Sequence, residues 1–285
     1  MISTEIGSMV KHMSYEKAVE AVAKAGFDGF DLSMIDMARF NWSNGTVSHT
    51  AYPLDHDECL KFVRRLKKIG EDNGIVCNQA HAPFPCNIPD ITGYLPRALE
   101  CAAAAGADYC VVQPLNDGTI RQNTVFFNGL LPYAEEYGIK IASENMWNWD
   151  FANDHALPAA CATPESFTSL LRSVNNPLFV ACLDIGHAEM RGVGTSAAEM
   201  ILALGDDLKV LHIHDNDKWH DNHNIPFSME IDFESVAAAL KKINYKGWYT
   251  LETDIFSDDF KTEDETIEGI KRLAEAARRF EALCK

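Results

Sequence analysis

The sequence lacks several features that would assign a function at once. Its eight cysteines, at 59, 77, 86, 101, 110, 161, 182 and 284, form no C-x-x-C. A cysteine-type zinc site is therefore not expected, and most of the eight sit in apolar stretches as small core residues. No run of 18 apolar residues occurs, so no membrane span is expected. The first residues, MISTEIGSMV, carry no basic-then-apolar leader, and a cytoplasmic location is the expectation. Positive charge is scarce: 25 Lys and Arg against 42 Asp and Glu leave a formal charge of −17. A general nucleic-acid binder needs basic surface to displace counterions, so no nucleic-acid partner is expected. There is no G-x-G-x-x-G, no G-x-x-x-x-G-K-[ST] and no G-x-S-x-G, which removes the usual dinucleotide, P-loop and acyl-transfer signatures.

What is present is core material and regular punctuation. Hydrophobic residues make up 47% of the 285, enough for a large core and against disorder. Gly26, Gly74, Gly106, Gly138 and Gly205 each follow a helical pattern and precede a short apolar run, as residues just past a helix end do. Asn175 and Gly247 fill two further slots of this kind. The pattern predicts strands at 2–7, 27–33, 75–80, 108–113, 139–144, 178–184, 208–214 and 248–252. Helix starts are marked by Ser14, by Thr163-Pro164, and by capping boxes at Ser196-x-x-Glu199 and Thr262-x-x-Glu265. Eight β-then-α units with near-continuous apolar strands point to a single (β/α)₈ TIM barrel over residues 1–285, with an open doubly wound sheet as the alternative. Post-strand loops at about 34–54, 145–162 and 215–231 are long, which favours function in such folds. The basic segment KFVRRLKK at 61–68 reads as a solvated helix face.

Barrel active sites lie at the C-terminal strand ends. The polar residues predicted there are His81, Gln113, Glu144, Asp184, His214 and Glu252. Carboxylates at a strand end are expensive unless paired or coordinated, and no matching Lys or Arg occurs at these ends. Glu144, Asp184, His214 and Glu252 therefore read as ligands of one divalent cation, with Mn²⁺, Zn²⁺, Co²⁺ and Mg²⁺ all open. His212-x-His214 sends both rings to the same face, and His214 is chosen because it lies nearer the C-terminal end. Five of the ten histidines fall between 187 and 223, which adds weight to a site there.

The segments ENMW (144–147), LDIGHA (183–188), HIHDND (212–217), D-x-H (221–223) and LETD (251–254) resemble the xylose isomerase-like TIM barrels. That superfamily holds sugar and sugar-phosphate isomerases and epimerases and the zinc-dependent apurinic endonucleases. The resemblance implies a metal on Glu144, Asp184, His214 and Glu252, with Mn²⁺ or Zn²⁺ ahead of Co²⁺ or Mg²⁺, and a small-molecule sugar as partner. In the epimerase branch the two glutamates, here Glu144 and Glu252, also exchange a proton at carbon through an enediolate. His81, His187, Asp221 and His223 match further ligand positions of the endonuclease branch, and His187, Asp221 and His223 could hold a second metal. Gln113 stands where that branch has histidine, and His220 stands where ketose 3-epimerases carry arginine. His81, Gln113, His187, Trp147 and His220 are the expected substrate contacts, Trp147 and Trp149 with core packing as the alternative. The rival functions are a metal-dependent dehydratase or lyase on the same barrel, an apurinic endonuclease, and a sugar-binding barrel without catalysis. The helical outer face leaves room for a homo-oligomer but shows no decisive patch.

Overall fold

Eight apolar runs pair in parallel to form one sheet. The strands are β1 (Ile2–Glu5), β2 (Gly29–Ser33), β3 (Val76–His81), β4 (Tyr109–Val112), β5 (Lys140–Glu144), β6 (Phe179–Asp184), β7 (Leu208–His212) and β8 (Tyr249–Leu251). They appear in a computed structural model that describes residues 1–48, 53–55, 58–254, 260 and 262–285. β1 pairs with β2 on one side and with β8 on the other, and the order then runs β2, β3, β4, β5, β6, β7. The ring is nearly closed. Ile213, just beyond β7, bridges Leu251 in parallel, and its N–H donates to the Thr250 carbonyl at 2.9 Å.

Helices cover the outside of the sheet. Among the described residues, eight of at least eight residues each follow the strands, from Tyr15–Ala25 to Glu263–Cys284. Their inner faces bury side chains such as Val19, Phe62, Leu99, Phe127, Phe167 and Phe280 against the sheet. Each fully buried large apolar side chain contributes about 1.5–3 kcal/mol relative to exposure. Caps set the helix starts. Ser14 accepts from the Lys17 N–H, and Thr163 and Thr262 form reciprocal capping boxes with Ser166 and Glu265. Ser196 accepts from the Glu199 N–H, but the Glu199 carboxylate bonds the Thr195 hydroxyl, so the box expected there is half formed. Asn175 takes the left-handed cap position, while Asn244 rather than Gly247 takes the positive φ after helix Phe233–Lys242. The basic segment lies on helix Cys59–Asp72, where Lys67 and Lys68 pair with Glu71 and Asp72 one turn on. Seven of the eight cysteines are buried and all are free. No helix among the described residues is long and apolar enough to cross a membrane.

Strand alternation decides what fills the barrel. Ser3, Asp31, Gln79 and Thr250 share the inward face with Val111, Ala142, Cys182 and Val210. Half of the inner layer is a hydrogen-bonded polar network, in which Gln79 donates to Asp31 at 2.8 Å and Thr250 donates to Gln79 at 2.9 Å. The other half is a small apolar cluster of Val111, Ala142, Val180, Cys182 and Val210. Two positions further along strands β3 to β8, the same parity brings His81, Gln113, Glu144, Asp184, His212 and Glu252 to the C-terminal mouth. Two of the long loops fold into hairpins over this mouth, Arg39–Asn41 with Thr46–Ser48 and Trp147–Asp150 with His155–Pro158. Residues 49–52 of the first loop lie outside the described residues.

Candidate metal centre

Three carboxylates and a ring meet at the floor of the mouth. His212 Nδ1 donates to Glu144 Oε1 at 2.6 Å and lies 3.0 Å from Glu252 Oε2, while its Nε2 lies 3.5 Å from Asp31 Oδ2. Ligand atoms of Glu144, Asp184, His212 and Glu252 all lie within 4.8 Å of one another. Glu144, Asp184 and His212 are buried, and Glu252 is the member most open to the cavity. Among the described residues no Lys or Arg pairs with these carboxylates.

The expected quartet contained His214, which lies against Asp184, while His212 stands level with the three carboxylates. The parallel register sets Asp184 opposite His212. His214 has the same parity and so stands one layer higher, past the end of β7. Its Nε2 lies 3.1 Å from Asp184 Oδ1 and 3.4 Å from Asp221 Oδ1. Ligand atoms of His214 group instead with those of His187, Asp221 and His223, again within 4.8 Å. Asp221 Oδ2 is the hub of this upper set: it accepts from His187 at 3.2 Å, His223 at 3.1 Å and Trp147 Nε1 at 3.3 Å. His187 Nδ1 donates to the Asn145 carbonyl at 2.8 Å, which points its other nitrogen at Asp221. Asp184 touches both layers, so the two sets share one wall.

The charges are interdependent. Burial works against an ionised Glu252, but the His212 ring beside it holds the carboxyl down at about 2. Glu144 is also held well below the usual carboxylate range, as His212 and His81 outweigh burial. Burial disfavours charge on His187, yet Asp184 and Asp221 push it up to about 10. Both glutamates are therefore carboxylates at neutral pH. Asp184 carries the clearest unmet demand. Its Oδ1 accepts from the His187 N–H at 2.7 Å and its Oδ2 is buried with no hydrogen-bond partner. A fully buried carboxylate oxygen without a donor, in a mixed oxygen and nitrogen set with no Lys or Arg, fits a divalent cation.

The other expected contacts divide. His81 and Gln113 reach the floor, with His81 Nε2 at 3.5 Å and Gln113 Nε2 at 3.4 Å from Glu144 Oε2. Trp147 and His187 line the same 610 Å³ cavity, together with Asp221, His223, Glu144 and Glu252. His220 does not line it. Its exposed ring stacks on Trp149 at 5.8 Å and its Nδ1 donates to Asp217 at 2.9 Å, an anchorage within its own loop.

Three residues of the site escaped the sequence reading. Asn145 clamps the Asp184 backbone from both sides, donating to its carbonyl at 2.9 Å and accepting from its N–H at 2.7 Å. Its place next to Glu144 was the available signal. Asp31 lies under His212 in the middle of a predicted strand, where nothing distinguished it from other strand residues. Gly186 lies flat against His214, and a Cβ there would fall inside the imidazole. Gly186→Ala is expected to destabilise the barrel by about 1–3 kcal/mol through this overpacking and to displace the His214 ring. A thermal melt and the imidazole proton resonances check it, and an unchanged melt with an unmoved ring would refute the contact.

Comparison with known proteins places this geometry. Residues 19–278 match the family described as xylose isomerase-like TIM barrel. An uncharacterized protein of Methanocaldococcus jannaschii is 30% identical over 135 residues, 47% of this chain and 44% of that protein. The chain spans about half the length of the curated relatives it matches. Among solved structures, the IolI protein with a bound zinc atom superposes with a TM-score of 0.72 at 17% identity, over 98% of this chain and 99% of that one. A D-psicose 3-epimerase solved with D-fructose superposes with a TM-score of 0.69 at 18% identity over the whole of both chains. At these identities the structures speak to the fold.

Proposed function

The chain belongs to the xylose isomerase-like TIM barrel family, and from that premise we propose that it is a divalent-metal-dependent isomerase or epimerase of a sugar or sugar phosphate. The observation that carries the reading is the buried cluster of Glu144, Asp184 and Glu252, which has no Lys or Arg partner among the described residues and leaves Asp184 Oδ2 unbonded. Glu144, Asp184 and Glu252 would hold the ion, with His212 level with them and His214 reaching them through Asp184. Mn²⁺ or Zn²⁺ suits this donor set best, and the zinc atom bound to the IolI protein supports that choice. When bound, the cation polarises a sugar carbonyl and offsets charge developing on the substrate oxygens.

The chain's own groups do the rest. Glu144 and Glu252 reach the cavity from β5 and β8, three strands apart, and both are held ionised. One takes the proton from the carbon beside the carbonyl, and the other returns a proton to a carbon. His187, fixed by Asn145 and Asp221, presents its edge to the same cavity and orients a substrate oxygen. Gln113 offers an amide that can donate to a hydroxyl. The upper set of His187, His214, Asp221 and His223 offers a second ion a place. Counting ions by mass spectrometry under native conditions, before and after Asp221→Ala, tests that.

The deciding experiment is incubation with a panel of ketoses and ketose phosphates in D₂O with added Mn²⁺, followed by NMR. Deuterium entering one carbon, and none entering after chelation, is the expected result. Substrate loss with release of water would instead assign a dehydratase. Absence of exchange with every sugar would leave a binding protein.

A further inference from the structure

The cavity is larger and more aromatic than a single sugar ring requires. Its volume is 610 Å³. With a water-sized group taking about 30 Å³, the six carbons and six oxygens of a hexose need roughly 360 Å³. The wall above the floor climbs through ring contacts: His187 to Trp147 at 6.4 Å, Trp147 to Trp149 at 6.1 Å. The two hairpins then bring Trp42 and Phe151 to the rim, 72% and 91% exposed. Both rings line the same cavity as Glu144 and Glu252 although they come from hairpins more than 100 residues apart. Large apolar rings standing in water at the rim of a cavity with a carboxylate floor mark a recognition surface.

The polar lining limits what is recognised. None of the described residues around the cavity is Lys or Arg, and Glu144, Glu252, Asp117 and Asp221 are all part of it. Lys218, near in sequence to the upper set, is taken by Glu189 at 3.3 Å. Phosphate esters are normally held by Lys, Arg or a row of backbone N–H groups. The lining histidines face carboxylates, His187 and His223 bonding Asp221 and His81 lying by Glu144, and the side-chain amides of Asn87, Gln113, Asn116 and Asn148 supply the other polar contacts. Amides both donate and accept, which suits neutral hydroxyls.

We propose that the substrate is an uncharged glycosylated sugar, with the reacting unit on the Glu144 and Glu252 floor and a second ring stacked between the hairpin aromatics Trp42 and Phe151. The proposal rests on the reading of the floor as an isomerase or epimerase site and narrows its substrate class.

Calorimetry with Mn²⁺ present compares three forms of each ketose: free, glucosylated (maltulose and isomaltulose beside fructose) and 6-phosphorylated. At least one glucosylated ketose is expected to bind about tenfold or more tightly than its free form, a gain typical of an added aromatic contact with its buried area. The phosphate ester is expected to bind no more tightly than the free sugar. Trp42→Ala and Phe151→Ala, both at exposed positions, are expected to erase most of the glucosyl gain and leave free-ketose binding unchanged. No glucosylated form binding more tightly, a phosphate ester binding tightest, or a gain indifferent to both variants overturns the inference. A dimer that falls apart in Phe151→Ala also overturns it, because a second copy would then be what covers the ring. Deuterium exchange separates the two levels. Exchange on free ketoses without a glucosyl preference removes the second-ring subsite and keeps the reaction. A Phe151-dependent glucosyl preference without exchange on any sugar removes the reaction and keeps the subsite.

Discussion

Glu252→Gln is expected to slow solvent-proton exchange at the substrate carbon by roughly 10²–10⁴-fold, the usual contribution of a positioned general acid or base, while the barrel stays folded. The amide has the shape of the carboxyl but cannot take a proton. The closing contact is spared, because it is the Glu252 backbone N–H that donates to the Ile213 carbonyl at 3.1 Å. Glu252 is also the most accessible of the three carboxylates, so its replacement leaves no buried group newly unpartnered except His212, which keeps Glu144 at 2.6 Å. Because Glu252 is proposed both as ligand and as base, the measurement needs two arms. Exchange is followed at rising Mn²⁺, and a loss that saturating metal does not restore assigns the proton-transfer role. Full recovery with metal would reduce Glu252 to a ligand, and full activity without it would remove both roles. Glu144→Gln under the same protocol is expected to lose exchange as well, with a larger cost in stability, since its Oε1 and Oε2 are buried against His212 and His81.

The barrel was legible because two short-range signals recur along the chain. Residues just past helix ends and apolar strand runs are local, and each predicted strand overlaps an observed one. The hairpins Arg39–Asn41 with Thr46–Ser48 and Trp147–Asp150 with His155–Pro158 were not legible. Strands of three or four residues at a wet rim carry too little alternation to distinguish from loop. The site was legible as a list of strand ends but not as a set of layers. Parity correctly sent both His212 and His214 inward. Which of them stands level with Glu144 and Asp184 depends on the register between β6 and β7, a non-local quantity absent from either strand's sequence. His220 shows how loop geometry escapes a position match. Its match to the arginine position of the ketose 3-epimerases suggested the cavity, but Asp217 accepts from the His220 N–H and ring, which stacks on Trp149 and does not line the cavity.

Loading the protein with Mn²⁺ or Zn²⁺ is expected to stabilise it in a way that one atom controls. An ion that binds only the folded chain adds about 2.7 kcal/mol when its free concentration is a hundredfold above its dissociation constant. For a chain of this size that raises the melting temperature by roughly 5 °C. Asp184→Asn is expected to abolish the rise. The substitution keeps an oxygen to accept from the His187 N–H, the bond at 2.7 Å that caps helix Ile185–Glu189. It also leaves the Asn145 clamp untouched, since that holds the backbone of residue 184. What it removes is negative charge and one anionic oxygen, the buried Oδ2 that has no partner of its own. Without metal, Asp184→Asn should melt close to the wild-type temperature, because relief of repulsion within the cluster of three carboxylates is offset by lost attraction to the His187 ring that Asp184 helps hold charged. A variant that melts lower without metal and still gains the full increment with it would show that Asp184 is a structural cap and that the ion sits elsewhere. The opposite pair of results ties the stability increment, the unbonded oxygen and the proposed chemistry to one place on the barrel floor.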